Sequence, residues 1–97
     1  MVQYEVAMPV IDEETYQFSV DVTLAAENIT LVFKWLNDVW NLFVTFSDGT
    51  VREAGVYPNA VNWKGFTDYR VVFISDYPSI ARTAISDSKM YVLDMTA

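Results

Sequence analysis

The sequence predicts an all-β protein: a small single-domain β-sandwich or partly open β-barrel of about six or seven mainly antiparallel strands. Three observations lead there. Val, Ile and Thr fill 27 of the 97 positions and aromatic rings another 15%, and these side chains fit pleated, half-buried surfaces. Apolar and polar residues alternate with period two along several stretches. Turn-forming residues fall between those stretches. A length of 97 residues corresponds to one domain, residues 1–97. A hydrophobic content of 53% sets the chain apart from disordered sequences, which lack the apolar surface to build a core.

The elements follow in order. Val2, Tyr4, Val6 and Met8 alternate with Gln3, Glu5 and Ala7. This N-terminal segment, residues 1–8, is either a strand of the domain's own sheet or an arm that adds to a neighbour's sheet edge. Tyr16, Phe18, Val20 and Val22 then alternate with polar residues, the signature of a strand with one wet face. Leu31, Phe33 and Trp35 form the inward row of the next strand, and Trp40, Leu42, Val44 and Phe46 that of the one after. The outer row of this last strand includes Phe43, which predicts cover on both faces.

Asn37-Asp38 predicts a short hairpin between those two strands. Ser47-Asp48-Gly49-Thr50 is the clearest turn, because Gly takes positive φ freely and Asp bonds forward to the backbone. A strand over Val51 to Val56 follows, ended by Tyr57-Pro58-Asn59, since Pro removes a ladder donor. Val71 to Ser75 reads as a short buried strand and Met90 to Met95 as the last one. Ile80, Ala81, Ala84 and Ile85 have spacings that allow one short helix near 78–86.

Charge and composition limit the chemistry. The chain has no Cys and no His, which removes disulfides, thiol nucleophiles, imidazole acid–base catalysis and the usual zinc sites. The formal charge is −7, and the first 33 residues hold six acids and no base. Such a surface repels phosphate backbones and anionic lipid, so neither nucleic acid nor membrane is expected as a partner. Trp35, Trp40 and Trp63 would otherwise suit base stacking, but six scattered bases make no basic groove. The N-terminus lacks the basic region and apolar run of a secretory signal, so the Asn28-Ile29-Thr30 sequon reads as chance. No stretch is long and apolar enough to span a bilayer.

Nothing selects a catalytic pair among the thirteen acids. Ser88 and Lys89 are adjacent strand residues and point to opposite faces. The sequence therefore predicts no enzyme, no catalytic residue and no cofactor. Asp12-Glu13-Glu14 lacks the glycine-punctuated loop of a calcium site and reads as a solvated turn, so no metal ligand is expected. The candidate functional residues are interface residues instead. Tyr57, Trp63, Phe66 and Tyr69 fall in a long connection that the core strands do not account for, and Trp and Tyr are favoured interface anchors. They meet a partner, or they cap an open end of the barrel. Tyr4 on the N-terminal segment and the acids Asp12, Glu13 and Glu14 complete the set.

The order of features resembles one family, the baseplate plug proteins of contractile-tailed bacteriophages. The resemblance spans Met8-Pro9-Val10 and Gln17-Phe18-Ser19-Val20, then Leu31 to Asn37 followed by Trp40-Asn41-Leu42. It continues through Ser47-Asp48-Gly49, Gly55-Val56-Tyr57-Pro58, Val72-Phe73-Ile74 with Asp76, and Tyr91-Val92-Leu93. Ala25-Ala26-Glu27-Asn28 stands where a glycine usually marks the turn. The resemblance implies a structural virion protein without catalysis or cofactor. It would be made in the bacterial host cytoplasm and packed in several symmetry-related copies between larger tail and baseplate proteins. The alternative reading is a small acidic binding module, one that binds carbohydrate through exposed Trp faces or inhibits a basic partner.

Overall fold

The structure is a computed structural model that describes residues 1–56, 60–62, 68–75 and 82–96, with 60–62 as backbone. It is a sandwich of two four-stranded antiparallel sheets. One holds β2 (Gln17–Thr23), β3 (Asn28–Leu36), β4 (Val39–Thr45) and β5 (Val51–Gly55) in chain order. The other holds β1 (Val2–Val6), β8 (Lys89–Asp94), β7 (Tyr69–Ile74) and β6 (Ala60–Asn62) in that spatial order. The short β6 brings the strands to eight among the described residues, against the six or seven expected.

The first sheet is a run of consecutive hairpins, and each turn has its own cause. Between β3 and β4, Asn37 and Asp38 take φ of 54° and 63°. Two left-handed central residues match the twist of the flanking strands. Between β4 and β5, Phe46 and Thr50 enclose a three-residue loop. The Phe46 amide donates to the Thr50 carbonyl at 2.8 Å and the Gly49 amide to the Phe46 carbonyl at 3.0 Å. Gly49 sits at φ 87°, which a residue with a Cβ adopts only under strain. Between β2 and β3, the Leu24 amide donates to the Glu27 carbonyl at 2.9 Å. Neither Ala25 nor Ala26 has positive φ, which explains how this turn does without glycine.

Most of the expected inward residues face inward, with Trp35 and Phe46 half-buried, whereas Tyr16, expected to open the inward row of β2, lies before the strand and is exposed. Leu31, Phe33, Trp40, Leu42 and Val44 are buried from the first sheet, and Val71, Phe73, Met90 and Val92 from the second. Phe33 joins the layers, stacked on Phe18 at 4.6 Å and edge-on to Phe73 at 6.1 Å between centroids. The N-terminal segment pairs within the chain, β1 against β8 from Val2↔Asp94 to Val6↔Met90.

Three expectations are sharpened or corrected. The second covering of β4 is partial: Asn41, Phe43 and Thr45 stay half-buried, and the Lys34 ammonium lies 5.4 Å from the Phe43 ring centroid. The helix near 78–86 is a five-residue 3-10 helix over Thr83–Asp87, anchored by fully buried Ile85. So short a piece closes i to i+3 bonds more readily than α-helical ones; residues 78–81 lie outside the described residues. Third, Tyr69 does not belong to a loop: it opens β7 and shares the inward row of Val71 and Phe73.

Candidate functional site

The acidic run at residues 12–14 sits at one end of the sandwich, where Arg82 organises the approach to β2. Asp12 closes a tight turn on itself. Its Oδ1 accepts the Glu14 amide and the Thr15 hydroxyl, both at 2.9 Å, and its carbonyl accepts the Thr15 amide at 3.2 Å. The hydroxyl bond first, then the amide bond, holds the Asp12 carboxyl below its ordinary range. The turn directs its carbonyls at Arg82. The guanidinium donates to the carbonyls of Thr15 at 2.8 Å, Asp12 at 3.2 Å, and Glu13.

The same guanidinium lies over the Tyr16 ring, 4.3 Å from its centroid. Its own backbone carbonyl accepts the Trp40 indole N–H at 2.9 Å. One residue therefore ties the 12–16 segment to the buried face of β4. The Ile11 amide adds a bond to the Ser86 hydroxyl at 3.3 Å. The turn expected at residues 12–14 is present. The Asp12 carboxylate is spent on its own turn, while Glu13 and Glu14 are exposed.

A second cluster ties the opposite end. Glu27 Oε1 accepts the Ser47 amide at 3.2 Å and hydroxyl at 2.9 Å, and its Oε2 accepts the Tyr69 hydroxyl at 3.1 Å. The Ser47 bonds lower the Glu27 pKa. Burial, then the Glu27 contact, pushes the Tyr69 phenol up to about 12. The Tyr69 ring stacks with Phe46 at 6.0 Å. Two turns of one sheet are thereby fastened to the first residue of β7 in the other.

These positions redistribute the candidates. Tyr69 is a buried link between the sheets, so it is withdrawn as an interface anchor; its inward place in β7 and its bond to Glu27 account for it. Tyr4 is half-buried and packs against the core. Asp12, Glu13 and Glu14 come together as a turn. Tyr57, Trp63 and Phe66 lie outside the described residues. Trp40 is buried, and Trp35 is half-buried with its ring near-perpendicular to that of Trp40 at 5.4 Å. Ser88 is buried and Lys89 exposed.

Sequence reasoning missed Arg82 and Glu27. Arg82 serves backbone carbonyls 67 to 70 residues upstream, and no spacing rule marks such a contact. Glu27 carried no signal beyond a charge in a turn.

Among the described residues, no group of three acidic side chains is placed to hold a metal ion. No helix there is long and apolar enough to cross a membrane. Compared with protein-family models, curated proteins and solved structures, the chain gives no match.

Proposed function

We infer that this protein is a structural component of a bacteriophage contractile-tail baseplate, a plug-like subunit packing between larger proteins of the tail. The observation that carries the reading is the placing of two sheet edges, β1 and β2, each without an outer strand among the described residues, within the acidic first third of the chain. An open edge offers backbone donors and acceptors to a neighbouring chain. The charge around it favours basic neighbours over copies of itself. The order of strand motifs from Met8 to Leu93 supports the family resemblance. The polar groups of Arg82 and Glu27 serve packing, tying turns to the opposite layer. Its place is then the virion, in several copies.

The test is quantitative mass spectrometry of purified contractile tails, with density from intact particles. The chain is expected in the baseplate at a fixed stoichiometry of several copies. Its absence from tails, with a freely soluble pool left in the lysate, would overturn the reading.

A further inference from the structure

We propose that β2 is a strand-addition site, and that its occupant is an extended segment of a partner protein in which apolar residues alternate with Lys or Arg. The inference deepens the assembly reading and rests on it for the existence of a protein partner.

The backbone comes first. The Trp35 amide donates to the Tyr16 carbonyl and the Leu24 amide to the Glu27 carbonyl. With the register from Gln17↔Lys34 to Thr23↔Asn28, the alternation of an antiparallel ladder assigns the even-numbered residues of β2 to bonds with β3. The N–H and C=O groups of Gln17, Ser19, Asp21 and Thr23 then point away from the sheet. Among the described residues nothing pairs with them.

Apart from the single charge of Asp21, β2 also lacks the usual protections of an edge. Edges are commonly blunted by Lys, Pro, a bulge or short length. β2 runs seven residues without Lys, Arg, Pro or Gly. The other edges differ: β6 has three residues, and β5 has five, including Arg52 and a terminal Gly. β1 is also shorter, at five residues.

Side chains define the occupant. Phe18 and Val20 belong to the inward row, yet both are only half-buried, because no strand covers their outer flank. An incoming strand would set its own inward residues against that flank, so those should be apolar. On the opposite face the edge presents Gln17, Ser19, Asp21 and Thr23. Residues 12–23 hold Asp12, Glu13, Glu14 and Asp21 and no base. Asp21 Oδ1 accepts the Thr30 hydroxyl at 2.8 Å, which fixes the carboxylate without neutralising it. Asp21 is the one charge of β2 on that face, with Lys34 across from Gln17 at the far end, so a basic residue is favoured at the incoming position beside Asp21. A second copy of this chain would bring −7 against −7 and is disfavoured as occupant.

The experiment uses the full chain, isotope-labelled, with amide hydrogen exchange read by NMR. The probe is a nine-residue peptide of alternating Val and Lys, acetylated and amidated. Two controls are a peptide of the same composition with Val and Lys in separate blocks, and one alternating Val and Glu. Saturable slowing of exchange by at least tenfold is expected at Gln17, Ser19, Asp21 and Thr23 with the alternating Val–Lys peptide alone. Ser19→Pro removes one edge donor without touching the bonds to β3, and Asp21→Lys reverses the local charge. Each should weaken binding at least tenfold while β3 amides keep their protection.

Equal binding of the blocked peptide, protection on β1 instead, or no binding at millimolar peptide overturns the proposal. Concentration-dependent protection of the same amides without peptide also overturns it and identifies a second copy as occupant. A chain found in tails whose β2 ignores the peptide keeps the assembly reading and loses this one. Binding by a chain absent from tails does the reverse.

Discussion

Arg82→Ala is the most informative single substitution, because one side chain fastens the 12–16 segment to the body. Its bond to the Thr15 carbonyl is 2.8 Å long and partly buried; a hydrogen bond from a charged donor contributes about 1.5 kcal/mol at the lower end of its range. The stack on Tyr16 at 4.3 Å adds about 0.5–1 kcal/mol for a partly exposed cation. The bonds to Asp12 and Glu13 are solvent-exposed and are left out of the sum. The expected loss is about 2 kcal/mol, a large share of the roughly 5–15 kcal/mol that holds a domain folded. In a chain of this size it lowers Tm by about 8–16 °C.

Arg82→Lys keeps the charge but loses the fork that reaches several carbonyls at once, so it should recover less than half. Urea unfolding followed by Trp fluorescence gives the free energies, and a double-mutant cycle with Tyr16→Leu isolates the ring contact. Arg82→Ala within about 0.5 kcal/mol of the parent, the usual range for unremarkable surface changes, would refute the clamp. So would full rescue by Lys.

Three further outcomes are expected. Gly49→Val should destabilise by about 1–3 kcal/mol through backbone strain alone, since a Cβ at φ 87° meets no atom within 4 Å; an unchanged urea midpoint would contradict the turn. Asp38→Gly should stabilise by about 0.5–1 kcal/mol by relieving a left-handed residue at φ 63°, which differential scanning calorimetry would register as a raised Tm. The third concerns pH. Glu27 titrates below its ordinary value, so its contribution is present above the ordinary carboxylate range and is lost as pH falls through its lowered pKa. Tyr69 is raised to about 12, so its contribution is complete below about 10 and is lost as pH rises toward 12. Unfolding free energies measured across both limbs should fall at each end, and Tyr69→Phe should flatten the alkaline limb.

Much of the fold was legible because burial on one face writes itself into alternate positions. Leu31, Phe33, Trp40, Leu42 and Val44 were readable inward residues for that reason, and Asn37-Asp38 and Gly49 were readable turns because few residues accept positive φ. Tyr69 was misplaced although its signal was present: the alternation of Val71 and Phe73 extends back to it. Chain continuity with the preceding connection obscured that phase. The short helix was legible in place, while its 3-10 winding over Thr83–Asp87 was not, because five residues around one buried Ile leave the winding open. The candidate site was far less legible. Arg82 and Glu27 act on partners 20 to 70 residues away, and the backbone carbonyls that Arg82 reaches constrain no residue type at the accepting end. The open edge of β2 became visible only once the register was known, since which amides face outward depends on pairing and not on composition.

The pairing of β1 with β8 has a consequence for the order in which the molecule is made. Strands β2 to β5 meet their neighbours through short turns, so that sheet can close while the chain is still leaving the ribosome, at small loop-closure cost. β1 precedes its partner at Lys89–Asp94 in the chain, with the whole first sheet between them. Until β8 has been made, β1 is therefore a strand without its partner, carrying Val2, Tyr4 and Val6. The β1–β8 pairing forms only once β8 has been made, and until then β1 offers its backbone to a chaperone or a neighbouring nascent chain that competes with β8.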